Sequence, residues 1–413
     1  MASREPKLSP RIRIKIWMEM MKFKPSYFAL LSVAVVATAP GLAQAAGKQD
    51  SGTFGGISWQ ASNMLTGAQL GPASGTGTAG SVGNTTYLPT FPAYGGVVGL
   101  FMNYNPAEPT SGFICSGTLL SDRMSILTAG HCVSDGFGTA GPASTTVFFQ
   151  PAAGLLSNAS IYSNPTPGQV GNPAATAIAV TQYFVNPSYT GAVIDQNDIA
   201  VLRLAATAPA WAPSYGIYNG SLTGRDFNVA GYGARGTGAG SIDSAGRLRQ
   251  GDNTFDYAWG DAAFGGFFTE IIDGENFFGT AEIAQSYISD FDSGLSFNDG
   301  AGRIAQAVIG SSAFRDNGLG NREVGIAGGD SGGPSFIGGQ ISSVNSYGLR
   351  FGLDFGDVDE VLNNSFGEFS GYVPTNIHAT FINASLVPEP GTYGLMALGL
   401  LAVGAAARRR RVA

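Results

Sequence analysis

The chain has 413 residues, with 61 Gly and only 12% charged residues, which excludes a coiled coil and charge-rich disorder; its 21 Pro follow no Gly-X-Y period, which excludes collagen. The net charge of −7 understates how acidic the body is, because residues 46–387 hold 11 basic and 26 acidic residues and a single lysine, Lys48. Phosphate backbones are bound by clustered Lys and Arg, so no nucleic-acid partner is expected.

In chain order, residues 1–45 read as an export signal. Lys22 and Lys24 precede the apolar run Phe28–Ala39, and Ala43-Gln44-Ala45 supplies small residues for cleavage. Met21 also opens a complete signal, which makes it a possible true start. Residues 46–89 are polar and rich in Gly and Ser, and read as a linker or propeptide-like lead. From 90 to 385 short apolar runs alternate with Gly, Pro, Asn and Ser: GVVGLFMNY, SILTA, TTVFFQ, IAVLRL, FNVAGYG and IGGQISSVNSYG. These are strand-length and rich in β-branched and aromatic residues, which predicts an all-β barrel or sandwich. One helix is predicted near the end of this region. It starts at Pro374 and presents Ile377, Phe381 and Ile382 on one face. Residues 386–413 combine Val387-Pro388-Glu389-Pro390, an uncharged stretch Tyr393–Ala407 and four terminal-region arginines, Arg408 to Arg411. As a helix the uncharged stretch covers roughly 22 Å, short for a hydrocarbon core of about 30 Å. It reads as a marginal membrane segment with its basic end cytoplasmic and the body outside.

Three segments carry candidate chemistry. A Ser hydroxyl needs a base to take its proton and donors to hold an oxyanion. The chain has two histidines: His131, in LTAGHC, and His378, in the predicted helix. A multi-His metal centre is therefore not expected. GGDSGGP, from Gly328 to Pro334, holds Ser331 on a glycine-rich turn, where the N–H groups of Gly329 and Ser331 can form an oxyanion hole. NDIAVLRL sets Asp198 before an apolar strand, where a buried carboxylate would fix an imidazole tautomer; Asp195 competes for this role. His378 reads as a solvated or packed residue. The two cysteines, Cys115 and Cys132, are too few for a disulfide scaffold and lack zinc-site spacing.

Together TAGHC, DIAVLRL and GDSGGP resemble the chymotrypsin-like (trypsin-like) serine peptidase family, in that family's order of His, Asp and Ser. The resemblance covers roughly 90–385. It implies two six-stranded antiparallel β-barrels with the site between them, followed by the terminal helix. It also implies His131 as general base, Asp198 as its orienter, Ser331 as nucleophile, and Gly329 and Ser331 as oxyanion donors. FICSGTLLS matches the strand before the histidine, which implies a Cys115–Cys132 disulfide. Ser346, Tyr347 and Gly348 resemble the edge strand that pairs with substrate backbone. Counting back six residues from Ser331 reaches Gly325 at the base of the primary pocket, with Ile326 on an apolar wall; Glu323 would reverse this preference if the register slips. The tail resembles the PEP-CTERM sorting signal of Gram-negative bacteria, which implies processing by an exosortase and association with extracellular polysaccharide.

The expected function is thus an exported serine endopeptidase, acting on protein or peptide substrates at the cell surface or in the extracellular matrix. It needs no cofactor and is held at the membrane by its tail, at least transiently. The alternatives are an adhesive module on the same scaffold and an esterase using the same site. The sequence departs from the family in its long spacings, 67 residues from His131 to Asp198 and 133 from Asp198 to Ser331, and in that no Ile-Val-Gly-Gly-like start precedes GVVGLFMNY, so the partner of Asp330 is open. Asp290, Asp292 and Asp299 offer oxygen ligands to Ca²⁺, but their spacing lacks the terminal Glu of an EF-hand. They read as a solvated loop, and no metal is expected.

Overall fold

A computed structural model of the chain describes residues 48–54, 56–63, 85–108, 112–154, 160–162, 175–241 and 245–386. The export signal and residues 387–413 of the tail lie outside the described residues. Among the described residues no helix is long and apolar enough to cross a membrane.

The chain opens with β1 (Gln49–Phe54) and β2 (Ile57–Ser62), an antiparallel hairpin. This corrects the linker reading for the hairpin residues, with most of the rest of 46–89 lying outside the described residues: Ile57, Trp59 and Ala61 alternate inward along β2 and are buried. The next six strands are β3 (Val97–Asn103), β4 (Phe113–Leu119), β5 (Ser125–Thr128), β6 (Ser144–Phe149), β7 (Thr176–Val185) and β8 (Ala200–Leu204). They close into a barrel in the order β3-β4-β5-β8-β7-β6, which leaves no free edge. Val98, Leu100, Leu127, Val147, Phe148 and Leu202 are fully buried in one apolar cluster that extends from this barrel to the second sheet.

Nine further strands follow: β9 (Arg225–Gly231), β10 (Gly236–Thr237), β11 (Gly240–Ser241), β12 (Arg249–Phe255), β13 (Tyr257–Ala258), β14 (Tyr287–Asp290), β15 (Pro334–Ile337), β16 (Gln340–Arg350) and β17 (Phe369–Pro374). β10 and β11 pair with each other. The rest form a sheet in the order β12-β9-β15-β16-β17-β14-β13, with β2 added to β16 and β1 to β2. The all-β class holds, and the second ladder turns back on itself: β12 and β13 are separated only by Asp256, whose N donates to Ile288 O of β14 at 3.0 Å, so the run 249–258 pairs with β9 at one end and with β14 at the other. Residues between β13 and β14 pack an aromatic layer under this sheet. Trp259 lies 4.7 Å from Phe268 and 4.8 Å from Phe278, ring centroid to centroid. Burying each such side chain contributes on the order of 2–3 kcal/mol.

Two helices interrupt the strands. α1 (Gly300–Ile309) was not expected from the sequence; Asp299 caps it by accepting from Gly302 N at 2.7 Å. The predicted terminal helix exists but begins later, as α2 (Ala379–Ala384) after a 3₁₀ turn at Asn376–His378. Pro374 ends β17 instead. Ile382 is buried, but Ile377 is 40% exposed, so the predicted apolar face is only partly realised.

The disulfide implied by the resemblance is present between Cys115 and Cys132, 17 residues apart. It ties β4 to the turn after β5. A loop of that length restricts the unfolded chain by about 3 kcal/mol. Urea unfolding with and without reductant should differ by about that amount, with the reduced protein less stable.

Candidate active site

His131 lies on a 3₁₀ turn, Gly130–Cys132, directly after β5. Asp198 precedes β8, the strand paired with β5, so the ladder brings the two together. Asp198 is fully buried. Its Oδ1 accepts from His131 N at 2.7 Å and its Oδ2 lies 2.7 Å from His131 Nδ1. Ser346 Oγ, from the middle of β16, donates to Oδ2 at 2.6 Å. Burial of a lone carboxylate is costly unless its lone pairs are filled, and here three donors fill them. The competing Asp195 is used elsewhere: it accepts from Thr190 N and Oγ1 and from Asn197 N, as a local turn.

Ser331 sits on the loop before β15. Its carbonyl accepts from Ser116 N at 2.7 Å, which anchors the loop to the first barrel. Cys132 Sγ lies 3.7 Å from that carbonyl and 4.0 Å from His131 Nε2. The loop and the imidazole therefore adjoin the same sulfur. The Ser331 hydroxyl itself makes no hydrogen bond to Nε2 in this structure. Hydrogen bonds to a general base are often long without substrate and tighten only when it is bound. Gly332 has φ +79, and a Cβ there would meet Thr128 Oγ1 at 2.0 Å, so only glycine allows this close approach. Among the described residues neither Gly329 N–H nor Ser331 N–H has an internal acceptor. Both donors remain available to a ligand oxygen.

Asp330 is also fully buried. Gly233 N donates to its Oδ1 at 2.7 Å and Ala327 N to its Oδ2 at 2.9 Å. These backbone N–H groups are its hydrogen-bond partners in this structure. Burial pushes the carboxyl up to about 7, and the two N–H groups offset this only in part. A Cβ on Gly231 or Gly233 would fall 2.2 or 2.3 Å from the Asp330 carboxylate, which explains the Gly-Tyr-Gly segment. Ser116, which the sequence reading missed, completes the seam: its Oγ donates to Gly329 O at 2.8 Å and accepts from Tyr232 N at 2.9 Å. It follows Cys115 in FICSGTLLS, the only signal that pointed to it.

The other predicted positions fall as follows. Tyr347 is buried; its hydroxyl lies 2.9 Å from Trp259 Nε1 and 2.8 Å from Ser286 Oγ. Gly348 pairs with both β17 and β2. Gly325 faces the Asn364 side chain, whose Nδ2 a Cβ would meet at 2.2 Å. Ile326 is buried in an apolar cluster with Phe227, Val324 and Tyr372. Glu323 is buried too, accepting from the backbone N of Asp292 and Leu319. His378 is packed rather than solvated: Nε2 meets Gln196 O at 2.7 Å and Nδ1 meets Asn186 Nδ2 at 3.2 Å. Burial lowers its pKa, and its ring nitrogens are engaged by Gln196 and Asn186 rather than by Asp198 or Ser331.

The solvated-loop reading of Asp290, Asp292 and Asp299 is corrected, since they are 4%, 2% and 1% exposed. Asp290 Oδ2 accepts from Ala301 N at 2.8 Å, and Asp299 caps α1. Burial first, then mutual repulsion, pushes Asp290 up to about 7 and Glu323 up to about 8. Desolvation likewise raises Asp256 and Asp292.

These raised values fix a sign. A carboxyl that binds its proton more tightly when folded contributes stability below its unfolded pKa and loses it as pH rises through the folded value. For Asp290, Asp330 and Glu323 that window runs from about pH 4 to about pH 8. The thermal midpoint should therefore rise when the pH is lowered from 8 to 5, as scanning calorimetry can measure.

Two family models match parts of the chain. The family model named Trypsin matches residues 103–255, a span that holds His131 and Asp198 and ends before Ser331. The PEP-CTERM protein-sorting motif matches residues 386–411. Among curated proteins no relative matches. A solved structure of neuropsin, a serine protease expressed in the limbic system of mouse brain, is similar at 15% identity and a TM-score of 0.45, over 73% of this chain and 98% of that one. Residues 103–255 thus resemble the trypsin family. The chain ends in a PEP-CTERM sorting motif.

Proposed function

We propose that this protein is an exported serine endopeptidase acting through an acyl-enzyme intermediate. The observation that carries this reading is the buried Asp198 carboxylate gripping His131 Nδ1 and backbone N while Ser346 holds the same oxygen. With Nδ1–H committed to Asp198, Nε2 is the basic nitrogen. It takes the Ser331 proton as Oγ attacks a peptide carbonyl. The oxyanion is received by Gly329 N–H and Ser331 N–H. His131 then returns the proton to the leaving amine, leaving Ser331 acylated. Water, activated by the same imidazole, releases the acid and restores the hydroxyl.

Cell-surface placement is part of the proposal. The sorting motif supports export and processing of the tail by an exosortase-type enzyme in a Gram-negative envelope. The wholly backbone-held Asp330 supports an oxyanion loop that does not depend on a newly cut N-terminus.

Three measurements test the reading. Ser331→Ala should abolish peptide hydrolysis and labelling by a fluorophosphonate, with the thermal midpoint unchanged. Asp198→Asn should lower kcat by roughly 10⁴-fold, because the imidazole would take the wrong tautomer. Asp330→Asn should lower kcat by about 10²–10³-fold, the usual cost of a misplaced oxyanion donor. Wild-type protein that neither reacts with the fluorophosphonate nor cleaves peptides or esters would leave the adhesive-module reading in its place.

A further inference from the structure

β16 has two edges. β17 covers one of them from Ser343 to Leu349. On the other, β15 pairs with residues from Gln340 to Val344. β2 pairs with Gly348, Leu349 and Arg350. Because β17 already holds Gly348 and Leu349 from one side, β2 lies on the other, in line with β15. Between β15 and β2, Asn345 is bonded to Gly332 and Gly333 of the Ser331 loop. No strand pairs with Ser346 or Tyr347 on this edge among the described residues.

That gap is where a peptide presented to Ser331 would lie, since Ser346 touches Asp198 and Asn345 adjoins the serine loop. An extended peptide matches strand residues one for one, so the gap accepts about two residues before the scissile bond. Residues further upstream would need the edge at Gly348–Arg350. Gln60, Ala61 and Ser62 already stand there, opposite Arg350, Leu349 and Gly348.

Side chains fill the same space. Ile57, Trp59 and Ala61 are buried in one cluster with Tyr347 and with Val193 and Ile194, which lie on the loop leading to Asp198. Arg350 Nε donates to Gln60 Oε1 at 2.9 Å. Lys48 Nζ donates to Gly191 O at 2.7 Å and Asp135 O at 3.3 Å, tying the hairpin base to loops beside Asp198 and His131. Ser331 is 3% exposed.

We propose that the β1–β2 hairpin is a built-in occupant of the acyl-side half of the substrate groove. It bars polypeptides that extend more than about two residues upstream of the cut until it is withdrawn. The inference rests on the peptidase reading and adds to it an internal strand that regulates access.

The test uses the full chain and a Trp59→Ala/Ala61→Asp variant, assayed on N-succinyl p-nitroanilides of one to four residues sharing the same terminal residue. Wild-type kcat/KM should be flat, within about threefold, from two residues to four. The variant should gain about tenfold or more as the third and fourth residues are added. A wild-type protein that itself gains tenfold from the third residue overturns the proposal. Amide exchange provides a readout independent of catalysis. Gln60–Ser62 and Arg350 should be protected in wild type and fast in the variant, with protection of β3 unchanged as evidence of folding. Fast exchange at Gln60–Ser62 and Arg350 in wild type overturns the hairpin's placement whatever the kinetics. Protected amides with no turnover or fluorophosphonate labelling of either protein would instead overturn the peptidase reading, and the role given to the hairpin with it.

Discussion

A buried carboxylate with three donors governs this site. Asp198 belongs to the first barrel, at the foot of β8, while Ser346 belongs to the second sheet. Leaving an ionised carboxylate uncompensated in the interior costs several kcal/mol. The two halves therefore have an energetic reason to meet at this point, and the imidazole is held by the same contact. The position of His131 follows from it: both its backbone N–H and its ring are bonded to the one side chain.

Asp330 solves the same problem with weaker means. Its donors are two uncharged backbone N–H groups, so its carboxyl stays near neutrality rather than in the usual acidic range. What holds the serine loop is then the sum of several neutral bonds. Ser116 bonds Gly329 O and Ser331 O, Ala234 N bonds Gly328 O, and Asn345 exchanges bonds with Gly332 and Gly333. The shape of the loop depends on glycines at 231 and 233 as much as on those of the serine motif, because both approach the Asp330 carboxylate too closely for a side chain.

The first barrel was readable because its strands are uninterrupted apolar runs, and the His, Asp and Ser segments because their chemistry needs rare residue combinations. The rest was hidden for physical reasons. The hairpin carries its signal in six alternating positions, Ile57 to Ser62, beside a long polar stretch whose composition dominates any wider window. α1 has three glycines or alanines in its first turn and owes its start to the Asp299 cap, a residue that composition assigned to a solvated loop. The acidic loop itself was misread because charge predicts exposure on average. Here the carboxyls are buried and held toward their neutral forms.

The long spacing between Asp198 and Ser331 acquires a purpose once the hairpin is in view. Residues 259–278 lie in that interval and supply Trp259, Phe267, Phe268, Phe277 and Phe278. Trp59 stands edge-on to Phe278 at 5.1 Å, and Phe54 meets Phe267 at 6.0 Å and Phe277 at 5.3 Å. Aromatic contacts of this kind add about 0.5–1.5 kcal/mol each beyond the area they bury. A polar leader passing over the surface would need no such floor. The inserted aromatics and the hairpin are better understood as one unit in which the insertion builds an apolar bed beside Tyr347 and the hairpin lies in it. The strength of the hairpin's hold on β16 is then set by this bed more than by the three paired residues at Gly348–Arg350. The segment that controls access to the groove is thus anchored by residues that take no part in the chemistry.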